Sequence, residues 1–386
     1  MRFFHLWDLH LGKKLHKSSL LDDQVIVLSR IVELTQEYKP DAVLIAGDIY
    51  DRSVPAGEAV NVLDDFLTNL ARTENQVFLI TGNHDSPERL NFASRLLRAQ
   101  GIHICGSFTG ELQQIKLTDS NGPVQIYLLP FIKPAFVRPW FPEAVIESYE
   151  DAVSTVIAAA DPDPEARNIL LAPQFVTNGG REPARSESET FNVGGVDNVD
   201  VSLFEAFDYV ALGHIHGPQS IGRTGVRYAG SPLKYSFSEV NHNKGVCMVD
   251  YNSRDDLEVT MLPLQPKHDL RVIKGPLAGL IEAARKAEAE TGQVCHDYTR
   301  AILTDEAEQI DPFGQLKINY PNLLTLGFDN RRLQNQSETT TARLDIIKRS
   351  PLELFNDFYE IQNNCELSAE QTDVMSRVIV EAGEEQ

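Results

Sequence analysis

The stretch Gln76-Val77-Phe78-Leu79-Ile80-Thr81-Gly82-Asn83-His84-Asp85 joins an apolar run directly to a polar cluster. An apolar run of this length and composition predicts a buried strand. Polar residues at the end of such a strand are typical of α/β folds, in which functional side chains follow the carboxyl ends of parallel strands. We therefore expect Asn83 and His84 to belong to a functional site.

Three other apolar runs end in the same kind of cluster, namely Asp8-Leu9-His10, Gly47-Asp48-Ile49-Tyr50-Asp51 and Gly213-His214-Ile215-His216. Hard divalent ions prefer carboxylate and carbonyl oxygens, and imidazole adds affinity for transition metals such as manganese. Any one of these motifs alone is weak, because a single Asp-x-His at a strand end is more often a capped turn. Their joint occurrence predicts a two-metal hydrolase site, in which ions about 3.5–4 Å apart clamp a phosphate.

The expected roles follow from the side-chain chemistry. Asp8 and His10 should share one face of a strand, because side chains alternate with a period of two, and so should His214 and His216. Asp48 can bridge two ions with its two oxygens.

Asn83 offers a neutral carbonyl oxygen to an ion. The neighbouring His84 need not bind metal; it can donate to a phosphoryl oxygen or protonate the leaving oxygen, with Asp51 orienting its ring. Glycines at positions 47, 82 and 213 are expected to allow sharp turns of the backbone.

Composition narrows the class of protein. Apolar residues make up 42% and charged residues 24% of the 386 positions, which are ordinary values for globular proteins. No apolar run approaches the roughly 18 residues of a membrane span, and the early Asp8 is unlike a signal peptide. Four widely spaced cysteines without a Cys-x-x-Cys pair predict reduced thiols and a cytoplasmic protein.

The net charge of -21 argues against binding of nucleic acid through overall charge. It does not exclude a nuclease, because bound divalent ions add local positive charge.

The patterning predicts an α/β domain over residues 1–265, a small α+β domain over 266–330, and a linker with C-terminal helices over 331–386. Within the first domain, Asp22 or Asp23 is expected to cap a helix, and Pro87 to begin a helix that carries Phe92, Leu96 and Leu97. Residues 143–160 are expected to be helical.

The four polar clusters together resemble the calcineurin-like metallophosphoesterase superfamily. Three further segments resemble the SbcD nuclease family, the bacterial counterpart of the Mre nucleases: 5–13 (HLWDLHLGK), 228–237 (YAGSPLKYSF) and 350–355 (SPLELF). The resemblance runs nearly end to end. It implies a four-layer αββα sandwich with a small α+β capping domain and C-terminal helices.

The resemblance also implies an activity and partners. Members bind two manganese ions and cut DNA as 3′→5′ double-strand exonucleases and as single-strand or hairpin endonucleases, in DNA repair, recombination and replication. They work with an SbcC-type ATPase, which the C-terminal helices would grip, as a homodimer within a heterotetramer. Helices at about 55–105 would form the dimer contact.

Carried onto this chain, the family's metal ligands divide into two sets. One ion would be held by Asp8, His10, Asp48 and His216. The other would be held by Asp48, Asn83 and His214, with His84 as the acid or transition-state donor.

One family position departs from the pattern. A strand-end motif that resembles Ala-His-Gln-Phe-Val is here Ala172-Pro173-Gln174-Phe175-Val176, so the second ion loses a histidine ligand. Proline offers no ligand atom in its side chain. We expect weaker binding of that ion and weakened nuclease activity.

A second departure is Trp7, where the family has a small residue; we expect it to pack in the core beneath the site. Among basic residues near the motifs, Lys13 and Arg52 are the first choices for contacts with DNA phosphates.

Two other functions compete with the nuclease. One is a phosphoesterase for a different substrate, although such enzymes usually lack the additions after residue 265. The other is a non-catalytic scaffold for DNA ends, which Pro173 favours. Metal content, cleavage and substrate panels separate the three.

Overall fold

The computed structural model describes residues 1–189, 198–253, 255–329, 352–353, 355–356, 359 and 367–384. It divides into two compact units, Met1–Asp269 and Leu270–Gln386. None of the helices in the described ranges is long and apolar enough to cross a membrane.

The first unit is built mainly from short strands. In chain order they are β1 (Arg2–Leu6), β2 (Lys14–Leu15), β3 (Ser18–Ser19), β4 (Ala42–Ile45), β5 (Gln76–Ile80), β6 (Ile102–Cys105), β7 (Gln113–Asp119), β8 (Gly122–Leu128), β9 (Arg167–Ala172), β10 (Phe175–Thr177), β11 (Asn198–Asp200), β12 (Tyr209–Leu212), β13 (Gln219–Ile221), β14 (Arg223–Tyr228), β15 (Gly245–Ser253) and β16 (Asp256–Pro263).

The helices of this unit connect the strands. They are α1 (Leu21–Tyr38), α2 (Gly57–Ala71), α3 (Pro87–Leu90), α4 (Ser94–Leu97), α5 (Pro134–Val137) and α6 (Tyr149–Ala160). Short 3-10 helices lie at Arg98–Gln100, Arg138–Trp140, Val201–Phe204 and Phe237–Glu239.

Most strands fall into two six-stranded sheets, ordered β16-β15-β1-β4-β5-β6 and β13-β14-β12-β9-β8-β7. In the first sheet β1, β4, β5 and β6 are parallel, and in the second β8, β9, β12 and β14 are parallel. The strand register places Leu6 opposite Ile45 and Ile45 opposite Leu79. The ends of β1, β4 and β5 therefore lie side by side at one edge of the first sheet.

The two sheets pack face to face. Their shared core holds buried side chains from both, including Phe3, Leu44, Phe78, Ile126, Leu171 and Ala211. On the outer side of the second sheet, residues of α6 pack against β9 and β12. Helices α1 and α2 pack on each other, and α2 contacts β5 of the first sheet. This arrangement is the predicted αββα sandwich, and it confirms the expected fold class.

Three helix predictions for the first unit were wrong in detail. Helix α1 has Leu20 as its N-cap, and the carboxylate of Asp23 instead accepts a hydrogen bond from the backbone of His268, at 2.8 Å. The long helix expected from Pro87 is two single turns, separated by Ala93 in a left-handed conformation (φ 60°). As a result, Phe92 and Leu96 are 81% and 76% exposed.

The helix expected over 143–160 begins later, at Tyr149. Ser148 accepts a hydrogen bond from the backbone of Asp151, whose side chain accepts one from the backbone of Ser148. This capping box satisfies N–H groups of the first turn and so sets the helix start.

The second unit alternates strands and helices. Its elements are β17 (Leu270–Gly275), α7 (Leu277–Thr291), β18 (Tyr298–Leu303), α8 (Pro312–Lys317), β19 (Leu323–Phe328) and α9 (Ala369–Glu384). The three strands form a parallel sheet in the order β17-β18-β19. The linker expected after Asp329 and most of the first C-terminal helix lie outside the described residues.

Candidate metal centre

Asp8 and His10 lie in the turn that follows β1, and both have left-handed backbone conformations (φ 48° and 43°). Two backbone hydrogen bonds tie this turn to the one after β4: His10 N donates to Asp48 O and Leu11 N donates to Ile49 O, each at 2.9 Å. We expected the two side chains to share a face because they alternate along a strand, and this explanation was wrong. They converge because both residues occupy a turn, not an extended strand.

The structure brings Asp8, His10 and His216 together. One ligand atom from each lies within 4.8 Å of the others, and all three residues are buried. The Nε2 atom of His10 lies 3.8 Å from Asp8 Oδ1, and Nε2 of His216 lies 3.5 Å from Asp8 Oδ2.

Both carboxylate oxygens of Asp8 lack a hydrogen-bond partner within the part of the chain that the structure describes. Burial, together with the charges of Asp48 and Glu189, raises the pKa of Asp8 well above its ordinary value. Burial lowers the pKa of His10 well below its ordinary value, and the nearby His216 adds to this. Buried polar groups are normally satisfied. The two unsatisfied oxygens of Asp8, with the imidazoles of His10 and His216 beside them, therefore fit a divalent cation.

The turns after β4, β5 and β12 bring the remaining predicted ligands to the same edge. The backbone N–H of His84 donates to Asp48 Oδ1 at 2.9 Å, and His214 Nδ1 lies 3.3 Å from Asn83 Oδ1. The rings of His10 and His84 lie 4.9 Å apart in an edge-to-face arrangement. Burial raises the pKa of Asp48.

Asp51 contacts His84 differently from the expectation. Its backbone carbonyl lies 3.1 Å from His84 Nδ1, whereas its carboxylate accepts a hydrogen bond from Lys13 Nζ at 2.8 Å. Lys13 also lies over the ring of Tyr235. The guanidinium of Arg52 is 82% exposed and lies 3.7 Å from Asp51 Oδ2. Of the two basic residues, Lys13 is thus closely paired and Arg52 faces solvent.

Asp85 connects two of the turns, a role that sequence reasoning missed. Its carboxylate accepts hydrogen bonds from the backbone N–H groups of Ile49, Tyr50 and Gly82, at 2.9–3.1 Å. Burial and the charge of Asp48 raise the pKa of Asp85 to about 7. The position of Asp85 in the Gly-Asn-His-Asp cluster was visible in the sequence, but its backbone partners were not.

Sequence reasoning also missed a buried group of polar side chains behind His216. Glu239 Oε1 lies 3.1 Å from His216 Nδ1, and Ser188 Oγ lies 2.8 Å from the same nitrogen. Lys244 Nζ donates to Glu239 Oε2 at 2.6 Å. Burial opposes ionisation of Glu239, but its bonds to His216 and Lys244 lower its pKa to about 2.

Glu189 adds a second carboxylate on this side, because its Oε1 accepts from the backbone N–H of His216 at 2.8 Å. Burial raises the pKa of Glu189 to about 7. The sequence signal for this group is slight: Glu239 follows the segment 228–237, and Glu189 lies in a polar stretch that reads as a loop.

The three glycines at the strand ends have different causes. Gly47 has a positive φ of 112°, as a sharp turn requires. A Cβ atom on Gly213 would lie 1.7 Å from the ring of Trp7, and one on Gly82 would lie 2.2 Å from Asp48 Oδ1. At these two positions glycine provides space. Trp7 is 1% exposed and lies in the core between the sheets, beneath the turns, as predicted.

Pro173 directly follows β9, and Gln174 beside it is 1% exposed. Within the described residues, Nε2 of Gln174 has no hydrogen-bond partner. The ring of Phe175 lies 5.8 Å from that of His214, and the guanidinium of Arg185 lies 4.0 Å from the Phe175 ring.

Comparison with known proteins follows the same division of the chain. The model of the calcineurin-like phosphoesterase family matches residues 1–218. A second model, described as the type 5 capsule protein repressor C-terminal domain, matches residues 266–363.

Among curated proteins, the chain is 32% identical to the D subunit of the nuclease SbcCD from Staphylococcus epidermidis, over 98% of both chains. Two similar solved structures are a dimetal phosphatase from Danio rerio (13% identity, TM-score 0.40) and the protein TT1561 of Thermus thermophilus (12%, 0.38). They cover 68% and 67% of this chain and 98% of their own. By the first-unit match and the end-to-end similarity, the chain belongs to the calcineurin-like phosphoesterase family and, within it, to the D subunits of SbcCD nucleases.

Proposed function

We propose that this chain is a metal-dependent DNA nuclease that hydrolyses phosphodiester bonds as the D subunit of an SbcCD-like complex. The observation that carries the proposal is the buried Asp8–His10–His216 cluster, in which one ligand atom from each residue lies within 4.8 Å of the others and both Asp8 oxygens lack a hydrogen-bond partner among the described residues. This cluster belongs to a chain that is similar over 98% of its length to a nuclease subunit. The specific reactions proposed are 3′→5′ exonuclease cleavage of duplex DNA and endonuclease cleavage of single strands and hairpins.

The proposed ligands of the first ion are Asp8, His10, Asp48 and His216, and those of the second are Asp48, Asn83 and His214. Mixed carboxylate, amide and imidazole ligands suit Mn²⁺. When bound, the ions supply Lewis acidity and a hydroxide nucleophile.

His84 is the proposed acid for the leaving oxygen. A carbonyl oxygen only accepts, so the contact with Asp51 O assigns the Nδ1 proton of His84 to that bond. In the protonated ring, the second nitrogen can then donate its proton to the oxygen that leaves the phosphorus. The proposed part of Asp51 is thus to orient the ring through its backbone carbonyl.

Cleavage of end-labelled duplex and hairpin DNA with Mn²⁺ tests this proposal. We expect the native chain to shorten duplexes from the 3′ end and to open hairpins, and Asp48→Ala to abolish both reactions. Cleavage that persists in Asp48→Ala would refute the assigned site. Parallel assays with nucleotides and phosphopeptides test the alternative phosphoesterase.

Pro173 favours a second candidate, a chain whose second metal site is weakened and which acts more as a scaffold for DNA ends. We propose that Pro173→His raises Mn²⁺-dependent cleavage, because it restores the imidazole that the family pattern has at this position. Titration at limiting Mn²⁺ compares the two proteins. Equal cleavage and equal metal stoichiometry would refute a vacancy at position 173. No cleavage by the native chain, with rescue by Pro173→His, would favour the scaffold.

The proposed partners are DNA, an SbcC-type ATPase and a second copy of the chain, as a homodimer within a heterotetramer. Exposed apolar side chains at Val54, Val60, Phe92 and Leu96 support the proposed dimer contact at about residues 55–105. We expect Phe92→Glu to yield monomers in light scattering, with the exposed Val145→Glu as control. A dimer that survives Phe92→Glu would contradict this surface.

For the ATPase, the proposed contact is the C-terminal helical segment. Helix α9 exposes Val374 and Val378. We further propose the domain limits 1–265, 266–330 and 331–386; the family match over 266–363 supports the start of the second domain at residue 266. Truncation after residue 330 should abolish copurification with the ATPase and leave metal binding intact.

A further inference from the structure

We infer that Glu239 is a positioning residue for the metal centre, which acts through His216 and is itself held by Lys244. The inference rests on the proposed function only in requiring a divalent ion at the Asp8 cluster. It concerns how that ion is held, and not which substrate is cut.

His216 carries its ring proton on Nδ1, the nitrogen that faces Glu239. A carboxylate only accepts hydrogen bonds, so the contact of Glu239 with Nδ1, at 3.1 Å, assigns the ring proton to that nitrogen. Ser188 is consistent with this, because its hydroxyl donates to Glu239 Oε1 at 2.5 Å and its oxygen is free to accept from Nδ1–H. The lone pair of His216 is therefore on Nε2, the atom that faces Asp8 Oδ2.

Lys244 fixes the position of the Glu239 carboxylate. The Glu239 side chain is fully buried and is fixed from the far side by Lys244. All three donors of Lys244 are used, since it also bonds to His216 O at 2.9 Å and Ser231 Oγ at 2.7 Å. Lys244 thus holds both the carboxylate and the backbone of the histidine that the carboxylate orients.

The free energy of burying Glu239 with Lys244 distinguishes a structural role from a role in metal binding. Burying two opposite charges is rarely stabilising compared with an apolar pair of the same volume. A carboxylate that orients a metal-binding histidine, in contrast, typically changes metal affinity by about 10- to 100-fold. The placement of Glu239 against the ring nitrogen remote from Asp8 therefore fits a role in metal binding better than a role in stability.

The test is Mn²⁺ binding to the full-length protein, measured by titration calorimetry. We expect Glu239→Gln to weaken Mn²⁺ binding about 10- to 100-fold. The matched control is Asp208→Asn, another buried carboxylate, which bonds to Tyr251 and the backbone of Asn168 at the opposite end of β12. The control should leave Mn²⁺ binding unchanged.

A purely structural ion pair predicts a different result for the double variant Glu239→Gln with Lys244→Met. Removing both charges should recover stability lost in the single variant. If Glu239 positions His216, weak Mn²⁺ binding persists in this folded double variant. Native affinity in the double variant would overturn the inference.

Ser188→Ala provides a test that retains the charged side chains of both Glu239 and Lys244. It removes both hydrogen bonds of Ser188 Oγ, one with His216 Nδ1 and one to Glu239 Oε1, and we expect about fivefold weaker Mn²⁺ binding. Nitrogen-15 NMR of the ring should show the Nδ1–H tautomer of His216 in the native protein. An Nε2–H tautomer would overturn the inference whether or not the chain cleaves DNA.

Discussion

The two ends of the parallel strands in the first unit hold carboxylates that differ in whether they have hydrogen-bond partners. At the amino end, Asp119 bonds to Arg167 and lies 2.6 Å from the N-terminal ammonium, while Asp208 accepts from Tyr251 and Asn168. At the carboxyl end, Asp8 is as deeply buried as Asp208, yet its oxygens have no hydrogen-bond partner among the described residues.

This difference separates residues that hold the fold from residues that hold a ligand. Satisfied carboxylates contribute to stability, whereas a buried carboxylate without a donor costs free energy until a cation arrives. The same strand illustrates both cases, since β1 begins beside the paired N-terminus and ends beside Asp8.

The largest effect should come from Asp8→Asn. We expect Mn²⁺ binding to weaken at least about 100-fold, by comparison with losses seen for residues that only support ligands. Because the substitution removes a buried unpaired charge, the metal-free protein should become more stable by about 1 kcal/mol. Calorimetry and urea denaturation with a chelator measure the two effects. A metal-free variant less stable than the native chain would break the comparison between the two ends.

The opposite result is expected at the amino end. Asp208→Asn should lower the free energy of unfolding by about 2 kcal/mol, because it replaces a buried acceptor of two hydrogen bonds by an amide. Mn²⁺ affinity should not change. A loss of affinity would show that the two ends are coupled through β12.

The pH dependence of stability should also differ between the ends. The Arg167 hydrogen bond, helped by the N-terminal ammonium, holds the pKa of Asp119 well below its ordinary value. Its contribution is therefore present above about pH 4 and is lost as the pH falls towards the lower folded value. We expect Asp119→Asn to cost about 1.5 kcal/mol at about pH 6 and much less at about pH 2.5 in urea denaturation. A constant cost across this range would contradict the ionic account.

At the carboxyl end, the pH dependence of stability has the opposite sign. Burial and the charge of Asp48 raise the pKa of Asp85 to about 7. Between about pH 4 and 7 the metal-free folded chain holds this proton more tightly than the unfolded chain, so Asp85 favours unfolding as the pH rises through that window. Its three backbone donors, two to Oδ2 and one to Oδ1, favour the ionised carboxylate and so oppose this rise in pKa without cancelling it.

The sequence carried much of this architecture in local patterns. The apolar strands and their polar endings predicted β1, β4, β5 and β12 and the side chains gathered after them, because strand period and burial are written within a few residues. The break in the helix after Pro87 could not be predicted from the sequence. It depends on the left-handed backbone conformation of Ala93, and alanine gives no sequence signal for that conformation.

The supporting residues were unreadable for another reason. Glu239, Lys244 and Ser188 meet His216 from separate segments, and only the packed register of those segments makes them neighbours. A lone Glu or Lys in sequence carries no signal of a buried pair. Likewise, glycine is needed at position 213 because the ring of Trp7 occupies the space of a Cβ atom. From the sequence alone, this glycine was explained by a sharp turn.

The smallest effect on stability should come from Arg52→Ala. This variant extends the comparison from carboxylates to two arginines, the paired Arg167 and the exposed Arg52. Arg167 is 11% exposed and pairs closely, whereas Arg52 is 82% exposed and pairs loosely with Asp51 beside the metal turns. An exposed arginine contributes little to stability, so Arg52→Ala should change the free energy of unfolding by less than about 0.5 kcal/mol. If Arg52 contacts a DNA phosphate, the substitution should weaken DNA binding severalfold and reduce the salt dependence of log K by about one unit. Arg30→Ala on α1 is the matched control, because Arg30 is an exposed arginine paired with Glu33 on its own helix. An equal salt dependence in both variants would remove Arg52 from the DNA contact.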